Sequence, residues 1–227
     1  MRESTRPSWR IAIDSAEGLH LLLFVRDSLW LDSAGADLPG PLAFDVPDLS
    51  TELGPADRAA ARQAWPDWWR TSLASYLGYR HTPIDQELGV GVVRWLAEGP
   101  GHGTAPPQSL QAPTRAVLEP FRQWWCPPGG GELPPPRPLD RGGGMPGVKG
   151  SLAALTLSAR SALEVVRRIE AELGRRAEPF EFTLQVIGVS GPPVLAQDSH
   201  HAAVSSELLR SGAEYAQWLY RALRPLA

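Results

Sequence analysis

The sequence has very little cysteine and very little lysine. Cys126 is the one cysteine and Lys149 the one lysine among 227 residues, so 21 of the 22 basic residues are arginines. A single thiol cannot form an intramolecular disulfide and excludes metal sites built from several cysteines, which favours a reducing compartment. The arginine excess is typical of the codon usage of a GC-rich bacterial genome. We therefore expect a cytoplasmic protein.

The sequence also lacks an excess of positive charge and a long apolar run. Its formal net charge is −3 with an isoelectric point near 6.0, whereas nucleic-acid binding needs a concentrated positive field. The apolar run 21–25 stops at Arg26, far short of the ~18 residues that span a bilayer. The expected partners therefore include neither nucleic acid nor a membrane.

Negative charge is concentrated near the amino terminus. Residues 14–57 contain nine acidic residues and one basic residue, Arg26. The simpler interpretation is a solvated surface, and the functional one is a docking face for a partner with a basic surface. Both interpretations are open at this point.

Proline and glycine are concentrated in one segment. They make up 15 of the 24 residues in 127–150, a composition that cannot bury enough apolar surface to offset the entropy of ordering. The sequence therefore predicts a flexible segment, 127–150, between an amino-terminal part, 1–126, and a carboxy-terminal part, 151–227. Because neither part has the elements of a complete sheet, we expect one composite domain with this segment as a disordered excursion.

Apolar periodicity predicts the elements of the amino-terminal part. Alternation over 9–13 and the apolar run 19–25 predict a β-hairpin, in which His20 is a half-buried histidine with its hydrogen bonds satisfied. Helical spacing of large apolar residues predicts a helix over 56–77, and a second over 114–125 that is interrupted by proline.

Stronger signals predict the carboxy-terminal part. Capping-box patterns at 161–164 and 211–214 predict two helix starts, and Gly174 is placed to end the first helix. Alternation over 180–186 predicts a strand with one buried face and one wet face. Two short strands, 194–196 and 202–204, are predicted on either side of a turn at 198–199.

This mixture of elements predicts the fold class. Helices and strands do not alternate as strand, helix, strand units, so the sequence favours an α+β fold over a doubly wound one. We expect a mostly antiparallel small sheet packed against several helices.

Nine tryptophans include two adjacent pairs, Trp68-Trp69 and Trp124-Trp125. Large rings at helical spacing usually belong to a core, but an exposed member of either pair would anchor a partner. These four residues are the candidate partner-binding residues.

The densest group of proton carriers is Asp198, His200 and His201. Histidine can act as a base or a metal ligand, and Asp198 is placed to orient one ring. Adjacent side chains on a strand point to opposite faces, however, so the two rings are not expected to converge on one ion. The pattern 188–192 resembles a nucleophile elbow at Ser190, but Pro192 forbids the helix that this motif requires.

Two functions from different classes follow from these patterns. The first is a non-enzymatic protein-interaction protein, such as an adaptor, an immunity-type protein or an accessory subunit of a bacterial system. The alternative is a small hydrolase or metal-assisted enzyme using Asp198, His200 and His201. No cofactor-binding or metal-binding motif is found in the sequence.

Overall fold

A computed structural model describes residues 9–14, 16–32, 35, 37–78, 105–125 and 151–227. The predicted flexible segment, Cys126, Lys149 and the histidines His81 and His102 lie outside the described residues. The division of the chain into parts and their union in one domain therefore stay predictions.

The described residues form four strands and six helices. The strands are β1 (Arg10–Asp14), β2 (Glu181–Ile187), β3 (Val194–Gln197) and β4 (His201–Ser205). The helices are α1 (Glu17–Ser28), α2 (Pro55–Gly78), α3 (Gln108–Trp125), α4 (Ser151–Leu173), α5 (Ser206–Arg210) and α6 (Gly212–Leu223), with a short 3-10 turn at Ser50–Glu52.

The four strands form one sheet in the order β1-β2-β4-β3. β2 pairs in parallel with both β1 and β4, while β3 pairs antiparallel with β4 across the predicted turn. The α+β class is confirmed, but the sheet is mixed rather than mostly antiparallel. The β1–β2 pairing joins residues about 170 positions apart, and β2 pairs with β4 rather than with β3, the next strand along the chain; local patterns do not reveal such pairings.

Both faces of the sheet are covered. Ile187 and Ala203 join an apolar cluster with α1, α2 and α3, whereas Phe182 and Leu184 join a second cluster with α4, α5 and α6. The expectation of a wet face on β2 is therefore wrong: Gln185, on the face opposite Phe182 and Leu184, is only 3% exposed. A strand with parallel neighbours on both sides is usually covered on both faces.

The predicted hairpin is also wrong, because residues 19–25 lie in helix α1. Every residue from Leu19 to Val25 is buried, which removes the one-sided periodicity that distinguishes a helix from a strand. His20 does have its hydrogen bonds satisfied, as predicted. Its Nδ1 lies 3.1 Å from the carbonyl oxygen of Ala16, and its Nε2 accepts the backbone N–H of Gly188 at 2.9 Å.

Prolines do not break the helices in which they lie. Helix α2 runs through Pro66, and α3 runs through both Pro113 and Pro120, starting earlier than predicted. Packing explains why these helices continue through their prolines. Trp65 of α2, for example, donates from Nε1 to the Leu22 carbonyl of α1 at 2.8 Å. Tertiary contacts of this kind override the local cost of proline.

Only one of the two predicted capping boxes lies at the start of a helix. Ser161 lies inside α4, which begins at Ser151, so this box does not start a helix. Ser211 does precede α6, but its side chain makes no capping hydrogen bond. Gly174 ends α4 with φ of +64°, as predicted.

A buried ion pair fastens the end of α1 to the loop that follows. Arg26 contacts Asp27 at 2.5 Å and donates to the carbonyls of Pro39 and Gly40 at 2.7 and 2.8 Å. Asp27 in turn accepts the backbone N–H of Leu42 at 2.7 Å. The Arg26 side chain is 7% exposed, so its loss would leave several buried groups without partners.

We expect Arg26→Ala to lower the free energy of unfolding by about 3–5 kcal/mol, because breaking a buried pair leaves an uncompensated carboxylate. Arg70→Ala is the matched control, since Arg70 pairs with Asp37 and Asp67 at an exposed site. The control should be nearly neutral, as exposed pairs usually are. Urea unfolding of both variants checks this, and equal losses would contradict the role assigned to the buried pair.

Candidate functional site

The predicted turn between β3 and β4 is confirmed and is built around Asp198. Its Oδ1 atom accepts the backbone N–H groups of His200 and His201, both at 2.7 Å. Burial raises the pKa of Asp198, but the two N–H groups and the His201 ring lower it by more, so the net shift is downward. The carboxylate therefore holds the turn mainly in its charged form.

The two histidine rings have different environments. His200 is exposed, and its Nδ1 lies 3.2 Å from the carbonyl oxygen of Glu181. His201 is 7% exposed, with its Nδ1 at 3.4 Å from Asp198 Oδ1 but outside hydrogen-bond geometry. Within the described residues, no group of three or more His, Cys, Asp or Glu side chains could hold a metal ion.

Ser190, which lies in the pattern that resembles a nucleophile elbow, has a structural role. Ser190 donates from both its N–H and its hydroxyl to the carbonyl of Pro41, at 3.0 and 3.3 Å. Strand β3 follows at Val194, so the described chain has no helix directly after Ser190. The residue ties the end of β2 to the loop after α1.

The tryptophan pairs lie in or against the core. Trp68 and Trp69 are 2% and 1% exposed, which leaves them almost no surface for a partner. Trp124 and Trp125 are partly buried; Trp124 donates to the Asp45 carbonyl at 3.0 Å, and Trp125 stacks on Phe121 with ring centroids 5.8 Å apart. Their use as anchors stays a prediction, which the burial of the first pair disfavours.

A different tryptophan is exposed. Trp30, just beyond the end of α1, is 56% exposed, the highest value among the large apolar residues that the structure describes. Its φ is 54°, in the left-handed region that glycine usually occupies. The Leu31 N–H donates to the Arg26 carbonyl at 2.9 Å and the Trp30 N–H to the Asp27 carbonyl at 3.5 Å, which is the Schellman pattern.

Sequence periodicity missed Trp30 because its position is defined by the end of a helix that was predicted to be a strand. Once α1 is placed, Trp30 stands at the position after the helix cap, where glycine is strongly preferred. A bulky residue there costs about 1–2 kcal/mol in backbone strain. A tryptophan at a position that favours glycine is therefore the signal that identifies Trp30 once α1 is placed.

Two exposed acidic residues, Asp32 and Asp48, lie close to the end of α1. The Leu49 N–H donates to the Ser28 carbonyl at 2.8 Å, which places Asp48 beside the end of this helix. The N–H and the hydroxyl of Ser50 lower the pKa of Asp48. We call Trp30, Asp32 and Asp48 the Trp30 surface. Among the described residues of 32–57, five exposed carboxylates make no ion pair: those of Asp32, Asp45, Asp48, Glu52 and Asp57.

Comparison with known proteins gives no relative: no family model, no curated protein and no solved structure matches this chain. Among the described residues, the helices are too short or too polar for any of them to cross a bilayer.

We expect Asp198→Ala to lower the free energy of unfolding by about 1 kcal/mol at neutral pH, because the turn N–H groups lose their acceptor. A lowered pKa contributes stability that is present above the ordinary aspartate value near 4 and is lost as pH falls through the lowered value. Asp198→Asn keeps an acceptor oxygen but should lose this acid dependence. Urea unfolding between pH 7 and pH 3 checks both, and an unchanged acid dependence in Asp198→Asn would contradict the assignment.

Proposed function

We propose that the chain is a cytoplasmic, non-enzymatic protein-interaction protein, of the adaptor, immunity-type or accessory-subunit kind, and that it docks through the Trp30 surface. The observation that carries the proposal is the exposure of Trp30 at a backbone position that disfavours it. The partner is a protein with a basic surface.

Strain and exposure together support a binding role for Trp30. Neither folding nor solubility gains from an indole that is 56% exposed with φ of 54°. Strained backbone positions cluster at functional sites, and tryptophan is enriched among the residues that dominate binding energy. Arg62 of α2 donates to the Trp30 carbonyl at 3.3 Å and so helps to hold this backbone in place.

Charge supports a basic partner. Five exposed carboxylates of residues 32–57 make no ion pair, against the two nearby cations of Arg58 and Arg62, so this part of the surface carries an excess of negative charge. Such a field accelerates the approach of a positively charged surface and is weakened by salt. The adjacent Arg26–Asp27 pair is buried and neutralised, so it does not offset the surface charge.

The arrangement at the β3–β4 turn does not favour the alternative, a small hydrolase or metal-assisted enzyme. His200 and His201 differ in burial and in partners, and the Asp198 oxygen that faces them already accepts two backbone N–H groups. A catalytic pair requires a base whose ring is aimed at a reacting group.

Trp30→Gly is expected to weaken partner binding at least tenfold while the free energy of unfolding stays equal or rises slightly. Glycine relieves the left-handed strain, but it makes the unfolded chain more flexible, so the net gain is at most about 1 kcal/mol. The partner is first captured by cross-linking to the wild-type chain and purified, and its Kd is then measured by calorimetry.

The control is Leu163→Ala on α4, the other exposed large apolar residue that the structure describes. It should leave the Kd unchanged. Raising the salt concentration from 50 to 500 mM should weaken wild-type binding if the partner is basic. A Kd for Trp30→Gly within twofold of the wild-type value would overturn the proposal.

A further inference from the structure

The two edges of the described sheet differ in how they are protected. β3, at one edge, directly follows Pro192 and Pro193 and has a register shift between Val194 and Ala196. Prolines and bulges of this kind hinder an edge strand from pairing with another chain. β1, at the other edge, has β2 as its one neighbour among the described strands, contains no proline and pairs with β2 without a register shift. β1 therefore offers an edge on which a further strand can pair.

The outward backbone groups of β1 belong to its two isoleucines. The Arg10 N–H donates to the carbonyl of Phe180, the residue before β2, at 2.9 Å, so the backbone of Arg10 is directed toward β2. Backbone groups of successive strand residues point to opposite sides within the sheet, so those of Ile11 and Ile13 are directed away from β2. Both isoleucine side chains are half-buried and pack against the cluster with α4, α5 and α6. The outer edge thus combines two N–H groups, two carbonyls and part of two apolar side chains.

The residue order of β1 is self-complementary in an antiparallel pair. It reads Arg10-Ile11-Ala12-Ile13-Asp14. When two copies pair with Ala12 at the centre, Arg10 of each copy stands opposite Asp14 of the other, and Ile11 stands opposite Ile13. The outward N–H and carbonyl groups of the isoleucines then meet in two hydrogen-bonded pairs. The Arg10–Asp14 pairs are non-hydrogen-bonded, the type in which side chains approach most closely.

Charge favours this register over its neighbours. Registers centred on Ile11 or Ile13 also join the outward backbone groups, but they place neither Arg10 nor Asp14 opposite a charged residue. Arg10 is exposed and, although Glu181 stands opposite it on β2, makes no ion pair with any residue that the structure describes. Opposite charges across a strand pair stabilise the pair, and like charges destabilise it.

We propose that β1 pairs antiparallel with β1 of a second copy of this chain, centred on Ala12, and that the two four-stranded sheets join into one. The pairing has two-fold symmetry and uses the same strand in both copies, so it closes at a dimer. Two five-residue strands bury less than a standard interface does, so the dimer is weak, with a Kd of about 10–100 μM. The interface uses neither Trp30 nor the acidic residues beside it and is independent of the proposed docking function.

Sedimentation velocity of the full-length chain, from about 5 to about 500 μM, measures the dimer Kd. Arg10→Asp places two like-charged pairs across the interface and should weaken dimerisation at least tenfold, and Asp14→Arg should do the same. The double variant Arg10→Asp/Asp14→Arg restores both ion pairs with their signs exchanged. Its Kd should return to within threefold of the wild-type value.

Two variants outside β1 control the test. Arg115→Asp on α3 changes an exposed arginine and alters the net charge as Arg10→Asp does, and it should leave the Kd unchanged. Trp30→Gly should also leave it unchanged, because Trp30 is the docking residue and lies outside this interface.

Hydrogen exchange of the wild-type chain gives a readout that does not depend on the folding of any variant. The amides of Ile11 and Ile13 should exchange at least twofold more slowly at about 500 μM than at about 5 μM, because the dimer gives them acceptors. The Ala12 amide is directed toward β2 and should change little.

Three outcomes would overturn the proposal. The first is a wild-type chain that sediments as a monomer at every concentration. The second is a dimer that Arg10→Asp leaves intact, or that Arg115→Asp weakens equally, since either result would place the contact elsewhere. The third is a double variant that stays monomeric, which would exclude the register centred on Ala12.

Discussion

The apolar cluster that α1, α2 and α3 form against the sheet depends on the buried contact between Arg26 and Asp27. Arg26 binds two consecutive carbonyls of the loop after α1, and Asp27 binds the N–H of Leu42, so both charges are satisfied by one short stretch of backbone. That stretch continues into a bridge between Leu42 and Val189, the segment that follows β2. The ion pair thus fixes helix, loop and sheet end relative to one another, and removing either charge would expose the other to an apolar surrounding.

The same two residues also determine where Trp30 lies. Their backbone carbonyls accept the N–H groups of Leu31 and Trp30 and close the Schellman turn, while their side chains hold the loop on the other side. Because the turn is fastened from both directions, the chain tolerates a left-handed tryptophan where an unsupported helix end would select glycine. The strain at the surface is therefore maintained by the buried charge pair beneath it.

The sequence predicted elements best where one face was buried and local capping was decisive. Gly174 ends α4, and the strands around the Asp198 turn were predicted from turn chemistry and short apolar runs. The run 19–25 failed because a helix buried on all sides has no apolar period to distinguish it from a central strand. Parallel pairing of β1 with β2 joins residues about 170 positions apart, which local patterns cannot encode. Trp30 was missed because residues 19–25 were predicted to be a strand, whereas they lie in the helix whose end Trp30 follows.

The alternation over β2 shows most clearly what a pattern can and cannot specify. It correctly separated Phe182 and Leu184 from Thr183 and Gln185, because successive side chains on a strand leave opposite faces. It could not show that the polar set would also be covered, since covering depends on helices from another part of the chain. The burial of Thr183 and Gln185 is therefore set by tertiary structure, because α1, α2 and α3 cover this face of the sheet.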